Sequence, residues 1–259
     1  MRGPLSRAVS LTLACVVAGG CSDAGPSTSS QVSFNVATLP APAAISGTAF
    51  VVNGTPETFM DGTGNTLVIN KVELVLREIE LHRTGAVAEC AGGGVSDDCE
   101  ELEIGPLLVD VPLGTPGAAR SFSVELAPGS YDKVEFQIHK ASPSDDGSFV
   151  QANPDLADAS VRVTGTYNGT DFTYIGRFDA EEEFGLNPPL VANETGATDL
   201  TLFLDLDKWF RDQSSSLVDP NTANTGQPNE GLVEQNIKSA LDTFEDENHD
   251  GRDDGPDHQ

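Results

Sequence analysis

The sequence predicts a mainly β protein: an antiparallel β-sandwich with one C-terminal helix and an acidic, calcium-type loop. Three observations carry this. Short runs of alternating apolar and polar residues recur along the chain, and turn residues separate them. The 259 residues include 26 Gly and 16 Pro, which favours short strands and many turns over long helices. No helix-length pattern lies between the strand-like runs, so direct antiparallel connections fit better than crossovers.

The chain begins as an export signal. Arg2 and Arg7 give a positive start, Val9 to Ala18 is a short apolar run, and Ala18-Gly19-Gly20 is a small-residue cleavage site. A run this short cannot anchor in a bilayer, which takes about 20 apolar residues, but it suffices for a secretory signal over 1–20. The tripeptide before Cys21 resembles the lipobox of bacterial lipoproteins. That resemblance implies that Cys21 becomes the mature N-terminus and carries lipid, palmitate among its acyl chains. It implies a membrane partner through that lipid, and an address in the bacterial cell envelope. Ser22 fits delivery to the outer membrane.

Residues 21–44 are rich in Ser, Pro, Ala and Thr and are expected to be a solvated tether. Gln31 to Val36 are a candidate first strand inside it. The folded unit is expected over 45–212. Val68 to Leu81 is its first strong strand, with Val72, Leu74 and Leu76 on one parity and Ile79 and Leu81 on the other. A one-residue switch of that kind predicts a bulge, or a strand that crosses between sheets. Leu107 to Val111 is a short apolar run ended by Pro112. Phe122, Val124 and Leu126, then Val134, Phe136 and Ile138, alternate on either side of Pro128-Gly129, which predicts a hairpin. Val161 and Val163 begin a strand that should turn back at Asn168-Gly169 into Phe172 and Tyr174. Leu200 to Leu206 reads as a last strand. Phe203 on its opposite parity suggests burial on both faces and a central position.

Three segments resemble uncharacterised bacterial lipoproteins with a β-rich domain of unknown function. They are Ser121 to Phe136, Val161 to Thr170, and Leu204-Asp-Leu-Asp-Lys-Trp-Phe. The likeness spans roughly residues 45–212. It implies a fold and a lipoprotein context, and carries over no catalytic residue.

Residues 213–231 are a polar loop. In the remaining segment, 232–259, Leu232 to Phe244 has helical apolar spacing. Asp246 to Asp257 follows. Counting from Asp246, oxygen ligands stand at positions one, three and five (Asp246, Asn248, Asp250), with Gly251 at six. Arg252 at seven would lend its carbonyl, and Asp254 and Asp257 fall at nine and twelve. That is the spacing of an EF-hand calcium loop, and the loop also resembles thrombospondin type 3-like repeats. Asp257 is shorter than the usual Glu, so a weak calcium site is expected.

The chain carries 41 acidic and 14 basic residues, a net charge of −27. Removing the leader takes away Arg2 and Arg7 and no acid, leaving about −29. Such a chain is a poor partner for nucleic acid and suits solubility and cation binding. In an oxidising compartment Cys90 and Cys99 are expected to form a disulfide. No nucleophile elbow and no His-Glu-x-x-His helix occurs. His139 is expected on an outward strand face. Glu181-Glu182-Glu183 reads as a solvated run. Asp205 and Asp207 beside Trp209 are a weaker candidate for sugar or calcium, with a core tryptophan preferred.

The expected function is therefore a lipid-anchored, non-enzymatic envelope lipoprotein acting as an interaction or structural module. The alternatives are polysaccharide binding through Tyr167, Tyr174 or Trp209, and an envelope hydrolase. A protein or glycan ligand fits the first two.

Overall fold

A computed structural model describes residues 30–38, 55–84, 99–102, 105–114, 119–193 and 197–245. Two sheets face each other across one apolar core, as the alternating runs predict. The strands of the larger sheet are organised by one long strand, β3. In chain order the strands are β1 (Ser30–Ala37), β2 (Glu57–Met60), β3 (Thr66–Arg83), β4 (Cys99–Leu102), β5 (Leu107–Asp110) and β6 (Ala119–Leu126). Then follow β7 (Gly129–Ile138), β8 (Val161–Tyr167), β9 (Thr170–Gly176), β10 (Ala180–Ala192), β11 (Ala197–Leu204) and β12 (Leu241–Glu245). The helices are α1 (Gly147–Ala152), α2 (Leu206–Trp209) and α3 (Glu230–Ser239).

β3 is a spine. Along one edge it pairs end to end with β7 and then β8. Along the other it pairs with β4, β5 and β2. Residues 139–160, with α1, are thus an excursion out of what is otherwise one continuous partner strand. The excursion folds over Val75 on the outer face, where Val75, Ala141, Leu156 and Ala159 make a small second core. β10 pairs with β7 and β9 with β8 at the flanks.

The expected parity switch is a bulge. Ladder register shifts between Arg77 and Ile79, and Glu78 between them has φ of 53°. Before the bulge Val72, Leu74 and Leu76 point into the core; after it Ile79 and Leu81 do. The shift turns Glu80 and His82 to the outer face. Unshifted, both would have followed Leu76 inward.

The smaller sheet has the order β12-β11-β1-β6. Its inner side chains meet those of the larger one. Phe34 stacks on Phe122 within the small sheet at 4.9 Å, and meets the edge of Phe136 in the other sheet at 5.9 Å. Asn168 (φ 51°) and Gly169 (φ 79°) form the expected two-residue turn between β8 and β9. At Gly165 a Cβ would fall 1.9 Å from the Val68 carbonyl oxygen, so the bare backbone lets β8 lie against β3.

Four features differ from expectation. The expected tether, 21–44, contains β1, which lies between β11 and β6 and pairs in parallel with β11. Its Val32, Phe34 and Val36 are buried, enough apolar surface to hold a strand that its polar flanks conceal. Pro128-Gly129 joins β6 and β7, but these strands belong to different sheets, so the connection is an arch and not a hairpin. The sandwich does not end at 212. The apolar stripe taken as a helix over 232–244 is α3 only to Ser239. Leu241 to Glu245 then pair with β11, whose open edge offers ladder hydrogen bonds that a further helical turn would forgo. β11 is central as Phe203 suggested, though it stops at Leu204, and Leu206 opens α2 instead.

Candidate functional site

The most chemically loaded surface is the outer face of β3, β7 and β10, just past the bulge. Ladder partners in adjacent strands share a face. Glu80 stands opposite Glu135, and Glu135 opposite Glu183. Three hydrogen-bonded strands therefore carry glutamates at adjoining positions. In the next row His82 stands between Cys99 of β4 and Lys133 of β7. Like charges directly opposed across strands repel one another.

His82 Nε2 lies 3.8 Å from Glu80 Oε2 and 3.7 Å from Glu135 Oε2. One ligand atom from each of these three residues lies within 4.8 Å of the others. The imidazole is 6% exposed. Burial pushes its pKa below the ordinary histidine value, and the Lys133 ammonium pushes the same way; Glu135 and Glu183 oppose them without prevailing. The ring is therefore neutral at neutral pH and can act as a metal ligand. Lys133 Nζ pairs with Glu183 Oε2 at 2.8 Å. Beside the cluster, Glu78, Glu80, Glu135, Gln137 and Glu181 line a cavity of about 70 Å³.

A second histidine is built differently. His139 Nε2 is 2.7 Å from Asp146 Oδ2, and its Nδ1 is 3.4 Å from Asp179 Oδ1. Asp146 Oδ2 also accepts from the Ser142 N–H at 2.8 Å. Burial works to raise the Asp146 pKa, but the hydrogen bonds from His139 and Ser142 and the charges of His139 and Arg77 bring it below the usual range. Both ring nitrogens face carboxylates, which leaves neither to serve as a base toward a serine. The trio latches the 139–160 excursion onto the sheet.

Asp61, Thr63 and Asn65 also place oxygens at alternate positions. Their geometry is a turn: the Asp61 carboxylate accepts from the N–H groups of Thr63, Asn65 and Leu217 and from two side chains. These donors outweigh desolvation and hold its pKa well below the usual carboxylate range.

The positions expected from sequence are scattered. Cys21, Cys90 and the loop from Asp246 to Asp257 lie outside the described residues. Cys99 begins β4. The segment leading into that loop is strand β12, where an EF-hand would have its entering helix. Trp209 and Tyr174 are 0% and 1% exposed, which counts against their stacking on sugars; Tyr167 is half-buried, and its hydroxyl donates to the Leu217 carbonyl. Asp205 pairs with Lys208 and Asp207 with Arg211. Glu181 and Glu183 are exposed as expected, while Glu182 is half-buried, with its pKa raised by burial. His139 faces outward but is held by its two carboxylates. Glu80, His82 and Glu135 were not singled out from sequence. The parity switch at Glu78 signals that Glu80 and His82 turn outward, but nothing local pairs them with Glu135.

No family model matches the chain, and no characterised protein matches it in sequence. Among solved structures, MbnP from Methylosinus trichosporium overlays it with a TM-score of 0.42 at 11% identity, over 84% of this chain and 98% of that one. A likeness of that size bears no functional inference.

Proposed function

We propose that this chain is an exported, lipid-anchored protein of the bacterial cell envelope, a non-enzymatic β-sandwich serving as an interaction or structural module. The observation that carries the reading is the charged, apolar, small-residue leader ending directly before Cys21. The fold adds a geometric consequence. β1 starts at Ser30, nine residues after the lipid-bearing position, and an extended chain spans at most about 30 Å over that length. The sandwich would hang close to the lipid surface, held through a strand that is central in its sheet. Several acyl chains make such anchoring stable where a single one would not.

A non-enzymatic role fits what the candidate residues do. The cavity beside Glu80 and Glu135 is about 70 Å³, small beside the roughly 300–1,000 Å³ of small-molecule sites. The C-terminal loop remains part of the proposal as a weak calcium site, with affinity on the order of 10⁻⁴ to 10⁻³ M. Calorimetry with calcium should give heat that Asp250→Ala abolishes.

The test of the anchor is metabolic labelling with a fatty acid, followed by fractionation. The chain should carry label and sediment with membranes. Cys21→Ala should lose the label and leave the membrane fraction. An unlabelled wild-type chain in the cytosol would end the reading.

A further inference from the structure

The row Glu80–Glu135–Glu183 crosses three adjacent strands with each member opposite the next, and one ligand atom from each of Glu80, His82 and Glu135 lies within 4.8 Å of the others. Lys133 pairs with Glu183 at one end of the row. At the other end the buried imidazole of His82 faces two carboxylates. We propose that Glu80, His82 and Glu135 bind a divalent transition-metal ion of the zinc class, with remaining coordination positions filled by water from the adjoining cavity.

The geometry fits. Metal–ligand bonds of about 2.0–2.2 Å place tetrahedral ligand atoms about 3.4 Å apart. The separations at His82 Nε2 are 3.8 Å and 3.7 Å, and all three ligand atoms lie within 4.8 Å of one another, so side-chain rotation can draw the set together on an ion. The three residues stand on two ladder-paired strands, Glu80 and Glu135 as direct partners and His82 two residues along. That is a rigid base for a site.

The donor set names the class. One imidazole nitrogen and two carboxylate oxygens suit zinc and its neighbours, whereas calcium takes oxygen alone. Glu78, Glu181 and Glu183 supply surrounding negative charge, and Lys133 stands beside the site on β7. The cavity beside the cluster has room for a water or two on the open side. This site is separate from the C-terminal loop and does not depend on the lipid anchor, so each can fail without the other.

The test uses the whole mature chain, titrated with Zn²⁺ by calorimetry and with Co²⁺ by visible absorption. Stoichiometric binding is expected, with imidazole-type Co²⁺ bands, and millimolar Ca²⁺ should not displace the ion. His82→Ala and Glu135→Gln should each weaken binding by at least about tenfold. Glu135→Gln has a second readout. It relieves repulsion in the row, so the metal-free variant should melt no lower than the parent, while the Zn²⁺-dependent rise in melting temperature disappears. A His249→Ala/His258→Ala variant should bind as the parent does. Unchanged affinity in both His82→Ala and Glu135→Gln, or loss only in the tail variant, would overturn the assignment.

Discussion

At the scale of single residues, stability rests on a few contacts that substitution exposes. Gly165 sits where a Cβ would meet the Val68 carbonyl at 1.9 Å. Gly165→Ala must push β8 off β3 or distort it, and should cost at least about 2 kcal/mol in denaturant unfolding. Phe34 touches Phe122 in its own sheet and Phe136 in the other. Phe34→Ala should cost about 3–5 kcal/mol by the same measurement. Asp146 gives a pH signature. Its folded pKa is depressed, so its contribution is fully present above the unfolded carboxyl value of about 4. It is lost as pH falls through the lower folded value. Asp146→Asn should lower the melting temperature at neutral pH and leave a shallower acid limb than the parent shows. Parallel curves would remove the latch. The sequence placed His139 outward but gave no sign of Asp146 or Asp179 as its partners. All three meet only because the excursion folds back on the strand it left.

At the scale of elements, each strand needs its partners named before its role is known. β9 is the flank of the larger sheet, and a side chain closes part of its edge. Asn224 Oδ1 accepts from Ile175 N–H at 2.9 Å and its Nδ2 donates to the Thr173 carbonyl at 3.1 Å. Asn224→Ala leaves both backbone groups without that partner and should cost about 1–2 kcal/mol. Amide exchange at Ile175 should speed up, with exchange in β3 unaffected. The alternation in β3, β7, β8 and β9 was legible because each strand has one apolar face, and a period of two records that directly. The bulge was legible for the same reason, since a slipped parity leaves a trace in the pattern. β12 was not, because five residues following a helix carry too short a period to separate the two. β1 stood out as a candidate strand only, and its central, parallel place beside β11 has no local signature. Pro128-Gly129 announced a turn faithfully, but a turn residue does not say whether the next strand stays in the same sheet.

At the scale of the molecule, charge is the dominant collective term. A net charge of −27 sets the compact state against its own repulsion, and added salt screens it. The melting temperature at neutral pH should therefore rise by several degrees from low to high monovalent salt. A flat or falling midpoint would show that local pairing already balances the field. Part of that balance is visible. Glu73 is held between Lys71 and Arg162 at 2.6 Å each, and those partners bring its pKa down despite the opposing pull of burial.

The sequence by itself determined the class of fold, the turn at Asn168-Gly169, the parity switch in β3 and the acidity of the surface. Each is a property of neighbouring residues or of composition, so the chain states it without reference to distant partners. Which strands share a sheet, the burial of β1, and the meeting of Glu80 and His82 with Glu135 were decided only in the tertiary structure. Those depend on register between segments more than fifty residues apart. A ladder fixes that register through the joint burial of many side chains, none of which specifies it alone.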